Sequence, residues 1–511
     1  MRLDCTVLGR DHEITDATVP VISPYWRLKR SGEWSLLQKY EPEQIAYSIL
    51  SPLMAATLSL MDGKLNFRHL SMVVQYAHAM ESLEKSQQFL TEVISSANKE
   101  NDAVVEMSDE LAPYVKKYDP FAFLEAPVDG ASQKRPPAPL SLNLMFSNDC
   151  ETSCLYCYAH RRRVPQSEHL STERWLEIFQ EARDLGMDMV TLSGGDPLFR
   201  KDALILLEEL IRHRMLFLLS TKCHVTRAMA GALVDIGMAE PVNQYVREIQ
   251  LSMDGPDAQT ADTMAGSPGF FERAMDSVRN LSGRGLNLRV KSVVTPLNAP
   301  RVYDWIELLY DMGVQQLSVA AYNRTWHRHD DGLFLTREDR HSIAEQCARA
   351  RQDFPGLELR MTGLEEAPAD GEEPSAAAFP GAEASFAPEV LKSKAEAWLI
   401  RSHCSGGRSS MTITPDGKVV LCDTIPQEGV FIVGDVRDRS VLEVWNSEEL
   451  LEFAYPAQEK FSGSACHDCG EFETCQAAAG YCFRDSYFNY GSAFAPPPKC
   501  PHAPDDGLRM E

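Results

Sequence analysis

Three cysteines spaced C-x3-C-x2-C, at Cys150, Cys154 and Cys157, directly follow the apolar run Leu142–Phe146, which reads as a buried strand. Three thiols on one short loop at a strand end constrain this chain more than any other stretch. Three thiolates can hold three irons of a cubic iron–sulfur cluster and leave the fourth iron without a protein ligand. Exposure and hydrogen bonding then set the cluster potential. Zinc is the alternative, although it more usually pairs two C-x2-C knuckles. A disulfide framework would need an oxidising compartment.

Composition narrows these options. The start, Met1-Arg2-Leu3-Asp4-Cys5, has no apolar core of a signal peptide, so a cytoplasmic chain is expected. In that reducing setting thirteen cysteines read as metal ligands rather than disulfides. No uninterrupted apolar stretch reaches the roughly 18 residues of a transmembrane helix. A net charge of −24 disfavours nucleic acid and anionic membrane surfaces as partners. The 511 residues exceed one ordinary core, which predicts roughly two to four domains.

From Leu140 to about Phe354, strand-like runs alternate with helical patterns. The runs are Leu142–Phe146, Met189–Ser193, Leu216–Ser220, Ile249–Met253, Leu288–Val294 and Gln316–Ala320. Helical periodicity falls between them, as at Ser171–Leu185, Asp202–Arg214, Pro268–Ser282 and Pro300–Met312. Six βα units predict a parallel sheet, and no G-x-G-x-x-G follows any strand, so an open or closed barrel fits better than a dinucleotide fold. Active residues of such barrels lie at the carboxyl ends of strands, where the three-cysteine loop falls.

That loop resembles the signature of the radical S-adenosylmethionine (SAM) superfamily, C-x3-C-x-φ-C with φ aromatic, here Tyr156. The resemblance implies a partial (β/α)6 TIM-like barrel over 140–361. It also implies that the open iron binds the amino and carboxylate groups of SAM. An electron from the cluster then splits SAM to methionine and a 5′-deoxyadenosyl radical, a hydrogen-atom abstractor. After the second strand stands Ser193-Gly194-Gly195-Asp196-Pro197, which resembles the family's Gly-Gly-Glu-Pro contact to SAM's amino group, with Asp196 for Glu. Ser252, ending the fourth strand, is the implied ribose contact, or else an ordinary strand-end hydroxyl. The third strand ends Ser220-Thr221-Lys222-Cys223 where many relatives have Thr-Asn-Gly. Cys223 reads as a buried spare thiol.

Seven further cysteines follow: Cys404, Cys422, Cys466, Cys469, Cys475, Cys482 and Cys500. Thr414-Pro415-Asp416-Gly417-Lys418 reads as a hairpin turn between Met411–Ile413 and Val419–Leu421. The set resembles the SPASM extension of radical SAM enzymes, C-x9–15-G-x4-C, then C-x2-C-x5-C-x3-C, then C. The spacer before Cys482, Gln476–Tyr481, has six residues where the family has three. By the family's ligation, Cys466, Cys469, Cys475 and Cys500 would hold one auxiliary [4Fe–4S] cluster, and Cys404, Cys422 and Cys482 a second. With the SAM cluster this makes three [4Fe–4S] clusters. His403 and Asp423 adjoin the three-thiolate set as candidate fourth ligands. Asp423 is also a candidate base toward substrate, as in anaerobic sulfatase maturases, or a turn residue before Thr424-Ile425-Pro426.

Upstream, Tyr25–Leu37 reads as two short strands around Ser31-Gly32, and Ser51-Pro52 starts a helix that stops at Asp62-Gly63. Two more helical stretches follow, near Phe67–Ala79 and Glu81–Ala97. This winged-helix-like order, over roughly residues 20–100 of an N-terminal region that runs with its connector over 1–133, resembles the leader-peptide recognition domain of ribosomal-peptide maturases, which implies an extended precursor peptide added to a sheet edge. Lys134–Pro139 reads as a stiff linker. Residues 362–395, rich in Ala, Pro, Gly and Glu, read as a second linker before the SPASM domain over 396–511. The implied activity is hydrogen abstraction from a precursor-peptide residue, giving a carbon–carbon or thioether cross-link or an oxidation, with a flavodoxin or ferredoxin as electron donor. An anaerobic sulfatase maturase is the alternative within the chemistry. A non-catalytic iron–sulfur or zinc scaffold is the alternative outside it.

Overall fold

The computed structural model describes residues 5–31, 34–40, 45–99, 102–124, 135–159, 164–187, 189–240, 247–325, 328–364, 404–478, 480–497, 500 and 502–503. Two compact units divide the chain, one built on 1–137 and the other on 138–239 and 247–511.

In the first unit, β2 (Trp26–Ser31), β3 (Trp34–Tyr40) and β4 (Ile45–Leu50) form an antiparallel sheet in the order β2-β3-β4. Three helices follow, α1 (Pro52–Ser59), α2 (Phe67–Ala77) and α3 (Leu83–Asn98). Each begins where a side chain replaces a missing backbone partner. Ser51 accepts from the Met54 N–H at 3.3 Å, Asn66 from His69 at 2.9 Å and Ser82 from Lys85 at 3.2 Å. Such a cap contributes about 1 kcal/mol. Leu28, Leu37, Leu58, Leu70, Val74, Leu90 and Ile94 are buried together between sheet and helices. A two-stranded sheet pairs β1 (Pro20–Ile22) antiparallel with β5 (Val104–Glu106). The expected hairpin is present, with β4 as a third strand that the sequence reading did not anticipate.

The second unit is organised by one sheet. Its parallel strands are β6 (Ser141–Met145), β7 (Met189–Ser193), β8 (Leu216–Thr221), β9 (Arg247–Ser252), β10 (Leu288–Val294), β11 (Gln316–Ala321) and β12 (Glu358–Thr362). The order is β12-β11-β10-β9-β8-β7-β6, followed by β13 (Ser410–Ile413), β14 (Lys418–Val420) and β15 (Gly434–Asp435). This is the partial barrel, with β12 as an extra edge strand beyond the six expected. Helices between the strands bury Trp175, Ile178 and Phe179, Leu206 and Leu210, and Trp305 and Ile306 against the sheet.

The C-terminal region joins this sheet rather than sitting apart from it. Strand β13 pairs parallel with β6, Ser410 opposite Ser141 and Ile413 opposite Leu144. Arg174 adds hydrogen bonds to the Val436 and Arg439 carbonyls, at 2.8 and 2.9 Å. The buried core continues from the barrel into Phe453, Phe461, Phe472 and Phe483. Most of the 362–395 stretch lies outside the described residues. No helix among those described is long and apolar enough to cross a membrane.

Candidate active site and cysteine constellations

The three-cysteine loop leaves β6 and is held from three sides. Backbone approach comes first. The Gly195 N–H donates to the Ser147 carbonyl at 2.7 Å, and Asp196 N–H to that of Asp149 at 2.8 Å. A Cβ on Gly195 would stand 2.3 Å from the Asp149 oxygen, and one on Gly194, at φ +107°, 2.6 Å from that of Ser147. The paired glycines therefore exist so that this turn can lie against the loop. On another side, the loop docks on the end of helix Ala258–Ala265. Ser153 N–H donates to Ala265 and Leu155 N–H to Met264, at 2.8 and 3.0 Å. Gly266, in the left-handed region at φ +57°, again admits close approach, since a Cβ there would lie 2.4 Å from the Ser153 oxygen. The Arg328 guanidinium supplies the last side, donating to the carbonyls of Ser153 and Cys154 and to the Ser153 hydroxyl.

Beneath the loop lies a polar network. Asp254, fully buried, accepts from the Tyr156 hydroxyl at 2.5 Å, Lys222 Nζ at 2.6 Å and the Val293 N–H at 2.9 Å. Lys222 also lies over the rings of Tyr156 and Phe270, at 5.7 and 5.0 Å. Burial would lower the Lys222 pKa, but the Asp254 carboxylate and the thiols of Cys154 and Cys150 outweigh it and hold the ammonium above its usual value. Burial and then Asp254 raise Tyr156 well above a free phenol. Lys291 on β10, also near Asp254, is pushed down by burial.

Asp196 does not point its carboxylate into open space. It accepts from the Thr221 hydroxyl and from the backbone N–H groups of Leu198, Lys222 and Cys223, at 2.8, 3.0, 2.6 and 3.0 Å. Those bonds oppose, without overcoming, the burial that raises its pKa. Asp196 thus ties the end of β7 to the end of β8, and Pro197 opens the buried turn that follows. Ser252 is the last residue of β9, half-buried, and its carbonyl accepts from Lys222 Nζ at 3.5 Å. Cys223 is buried, and its thiol is pushed up by burial and by Asp196.

The seven C-terminal cysteines fall into two electrostatic groups. Burial and then the thiols of Cys500, Cys475 and Cys469 push the Cys466 thiol up to about 12. Burial, then Asp423 and more weakly Cys404, push Cys422 up to about 12. Cys482 is raised by burial and Asp485, with Cys404 again contributing. The Thr424 hydroxyl lies 2.9 Å from the Cys422 sulfur, and Gln458 Nε2 donates to the Cys466 and Cys469 carbonyls, each at 2.9 Å. Among the described residues no three His, Cys, Asp or Glu side chains close in tightly enough to hold a single ion. The two groups number four and three thiols, the sets that two cubic clusters would take with each sulfur on a different iron. His403 lies outside the described residues.

Four participants were not singled out from the sequence as site residues: Lys222, Asp254, Arg328 and Tyr158. Tyr158 follows the last cysteine of the loop and is 39% exposed. Burial of its hydroxyl, then Asp423, Cys157, Cys150 and Cys422, raise its pKa well above the usual value. It therefore stands among groups of both cysteine regions. The Lys222 departure from Thr-Asn-Gly and the strand-end sequence Met253-Asp254-Gly255 were visible signals; for Arg328 the sequence carries none.

Residues 144–317 match the family model of the Radical SAM superfamily, and residues 404–470 match SPASM, an iron–sulfur cluster-binding domain. The PqqA peptide cyclase of Rhizobium meliloti (strain 1021) is 26% identical over 381 residues, covering 73% of this chain and 90% of its own. That of Methylocella silvestris is 25% identical over 384 residues, covering 72% and 88%. The crystal structure of Streptococcus suis SuiB bound to precursor peptide SuiA aligns with a TM-score of 0.60 at 16% identity, covering 94% of this chain and 98% of that one. SuiB bound to S-adenosylmethionine gives 0.58, also at 16% identity. These structures share the fold.

Proposed function

We propose that this chain, a radical SAM enzyme with a SPASM domain, modifies a ribosomally made precursor peptide by abstracting hydrogen from one of its residues. The observation that carries the reading is the clamped loop of Cys150, Cys154 and Cys157 at a barrel mouth, joined through one sheet to two further thiol groups. When bound, the cluster and SAM supply a 5′-deoxyadenosyl radical. The chain's own residues position and enclose that chemistry. Cys150, Cys154 and Cys157 hold the SAM-cleaving cluster, and the Gly194–Pro197 turn fixes their loop beside the methionine end of SAM. Tyr156, Asp254 and Lys222 form a dry, charged floor under it. Ser252 is the ribose contact.

In the C-terminal domain, Cys466, Cys469, Cys475 and Cys500 hold one auxiliary cluster, and Cys404, Cys422 and Cys482 the other. Asp423, near Tyr158, is the candidate base toward a substrate proton. A peptide substrate is supported by the alignment with PqqA peptide cyclases and by the first unit, where β4 is a sheet edge among the described residues and carries Ile49 64% exposed. An extended leader adding to that sheet gains main-chain hydrogen bonds. The enzyme works in the cytoplasm with a flavodoxin or ferredoxin as reductant.

Anaerobic reconstitution tests the reading. Iron and sulfide for three clusters, and 5′-deoxyadenosine released from SAM under reductant, are expected. A fully reconstituted, reduced protein that releases none would sink it. Replacing Cys150, Cys154 and Cys157 with Ala should abolish release and leave the auxiliary iron. Mass spectrometry of co-expressed peptides then reads the bond formed, since loss of two hydrogens marks a cross-link or oxidation.

A further inference from the structure

Strand β10 carries Lys291 on the inner face of the partial barrel. Its neighbours Val290 and Val294 are buried in the core under the helices, as are Leu251 of β9 and Leu317 and Val319 of β11. Successive strand residues face opposite ways, so Lys291 faces the lumen together with the residues in register with it, Ser252 on β9 and Ser318 on β11. The layer below, toward the start of the strands, is closed by a polar plug. There Arg289 donates to the Gln316 side-chain oxygen at 2.9 Å and to Glu248 at 3.2 Å. Lys291 is the next lumen-facing residue above it on β10.

The carboxylates of the adjoining strand are already taken. Asp254 accepts from Tyr156, Lys222 and the Val293 N–H, and Glu248 pairs with Arg289 and, at 3.9 Å, with Arg360. The Lys291 ammonium itself makes no hydrogen bond or ion pair among the described residues. Lys222 is the contrast, fixed on Asp254 at 2.6 Å. Burial pushes the Lys291 pKa down, and Asp254 and Glu248 oppose that only in part. Holding an unmatched cation out of water is unfavourable, and an anion entering beside it removes that penalty.

We propose, resting on the precursor-peptide reading above, that Lys291 receives the side-chain carboxylate of an acidic peptide residue inside the barrel lumen, and so selects peptides that carry one. SAM also has a carboxylate, but its methionine end is seated by the Gly194–Pro197 turn after β7. That strand is three removed from β10, about 14 Å along the sheet. An anion that reaches Lys291 therefore comes from the substrate, and a peptide offers carboxylates on its Asp and Glu side chains. The amides Asn and Gln fill the same space and leave the ammonium unmatched, so the site tells acid from amide. Lys291 is a specificity residue and takes no part in hydrogen transfer.

Ligand-observed NMR on the full-length, anaerobically reconstituted enzyme with SAM bound tests this. The probes are glutamate and aspartate capped as N-acetyl amides, with the equally capped glutamine and asparagine as neutral counterparts. At least one acid should bind the parent more tightly than its amide. Lys291→Met should weaken that acid by about tenfold or more, to the level of the amide, whereas Lys291→Arg should keep most of the preference. Because the methionine removes an unmatched charge and no protein bond, the variant's iron content and Tm should equal or exceed the parent's. Equal binding of acid and amide to the parent, or a preference that survives Lys291→Met, would overturn the proposal. So would a variant that melts lower and loses iron, since the ammonium would then be structural. A variant that loses SAM affinity by a similar factor would overturn it too, because the ammonium would then serve the cofactor. If the parent releases no 5′-deoxyadenosine from SAM under reductant, the radical SAM reading fails instead, and that measurement involves neither probe nor variant.

Discussion

The two cysteine regions of the molecule are built on opposite principles. Cys150, Cys154 and Cys157 sit on one short loop whose Cys154 and Tyr156 are buried in a small apolar cluster with Met264, Tyr322 and Leu333. Its shape comes from outside, from the Gly194-Gly195 turn, the end of helix Ala258–Ala265 and Arg328. The seven C-terminal cysteines are spread from 404 to 500, and several pack against the core formed by Phe453, Phe461, Phe472 and Phe483. In the first region the fold shapes the site. In the second the thiols lie against the apolar core, and a cluster bound there is expected to contribute to the fold, as structural metal sites do.

The largest expected effect separates the regions most directly. Stripping iron with a chelator should raise amide hydrogen exchange strongly around Cys466 and Cys482 and leave β7 to β10 protected. Equal loss of protection in both would break the distinction. Next in size is Lys222→Met, which leaves Asp254 buried with an uncompensated charge. A cost of about 3–5 kcal/mol is expected, read as a lower Tm of the second unit. Adding Asp254→Asn should recover part of it, and no recovery would mean that the pair does not interact as described.

Gly195→Ala comes third. Its methyl would enter the space of the Asp149 carbonyl, 2.3 Å away. The loop must shift by roughly an ångström, which for positioned chemistry costs about 100-fold in rate. Deoxyadenosine release should fall by that order while auxiliary iron stays constant. The smallest effect is Asp196→Glu, which installs the residue of the Gly-Gly-Glu-Pro motif that this turn resembles. The pocket is already filled by four donors, so the extra methylene should destabilise by about 1–3 kcal/mol, measurable by denaturant melts. A neutral or stabilising result would show that the turn has room that the hydrogen-bond distances deny.

The barrel was legible because its strands are continuous apolar runs flanked by helical periodicity. Met189–Ser193 and Leu288–Val294 coincide with the observed strands to the residue. Strand β12 was not legible. Glu358-Leu359-Arg360-Met361-Thr362 interleaves charge with apolar side chains, as an edge strand can. Strand β4 was hidden for a different reason, since Ile45–Leu50 runs straight into the strong helix start at Ser51-Pro52. The cysteines of the site could be read from spacing, because ligands on one loop are close in sequence. The floor could not. Tyr156 and Asp254 are 98 positions apart, and Lys222 and Asp254 32 apart, so only the parallel sheet brings them together.

The pairing of β13 with β6 has a practical consequence for anyone dissecting this chain. A truncation that ended before Ser410 would do more than delete a cofactor domain. It would strip the neighbour from β6 and bare a row of unpaired backbone groups beside apolar Leu142 and Leu144, an invitation to edge-to-edge aggregation. The barrel and its extension are sewn along a common seam, so they are best expressed as one piece and studied through point substitutions.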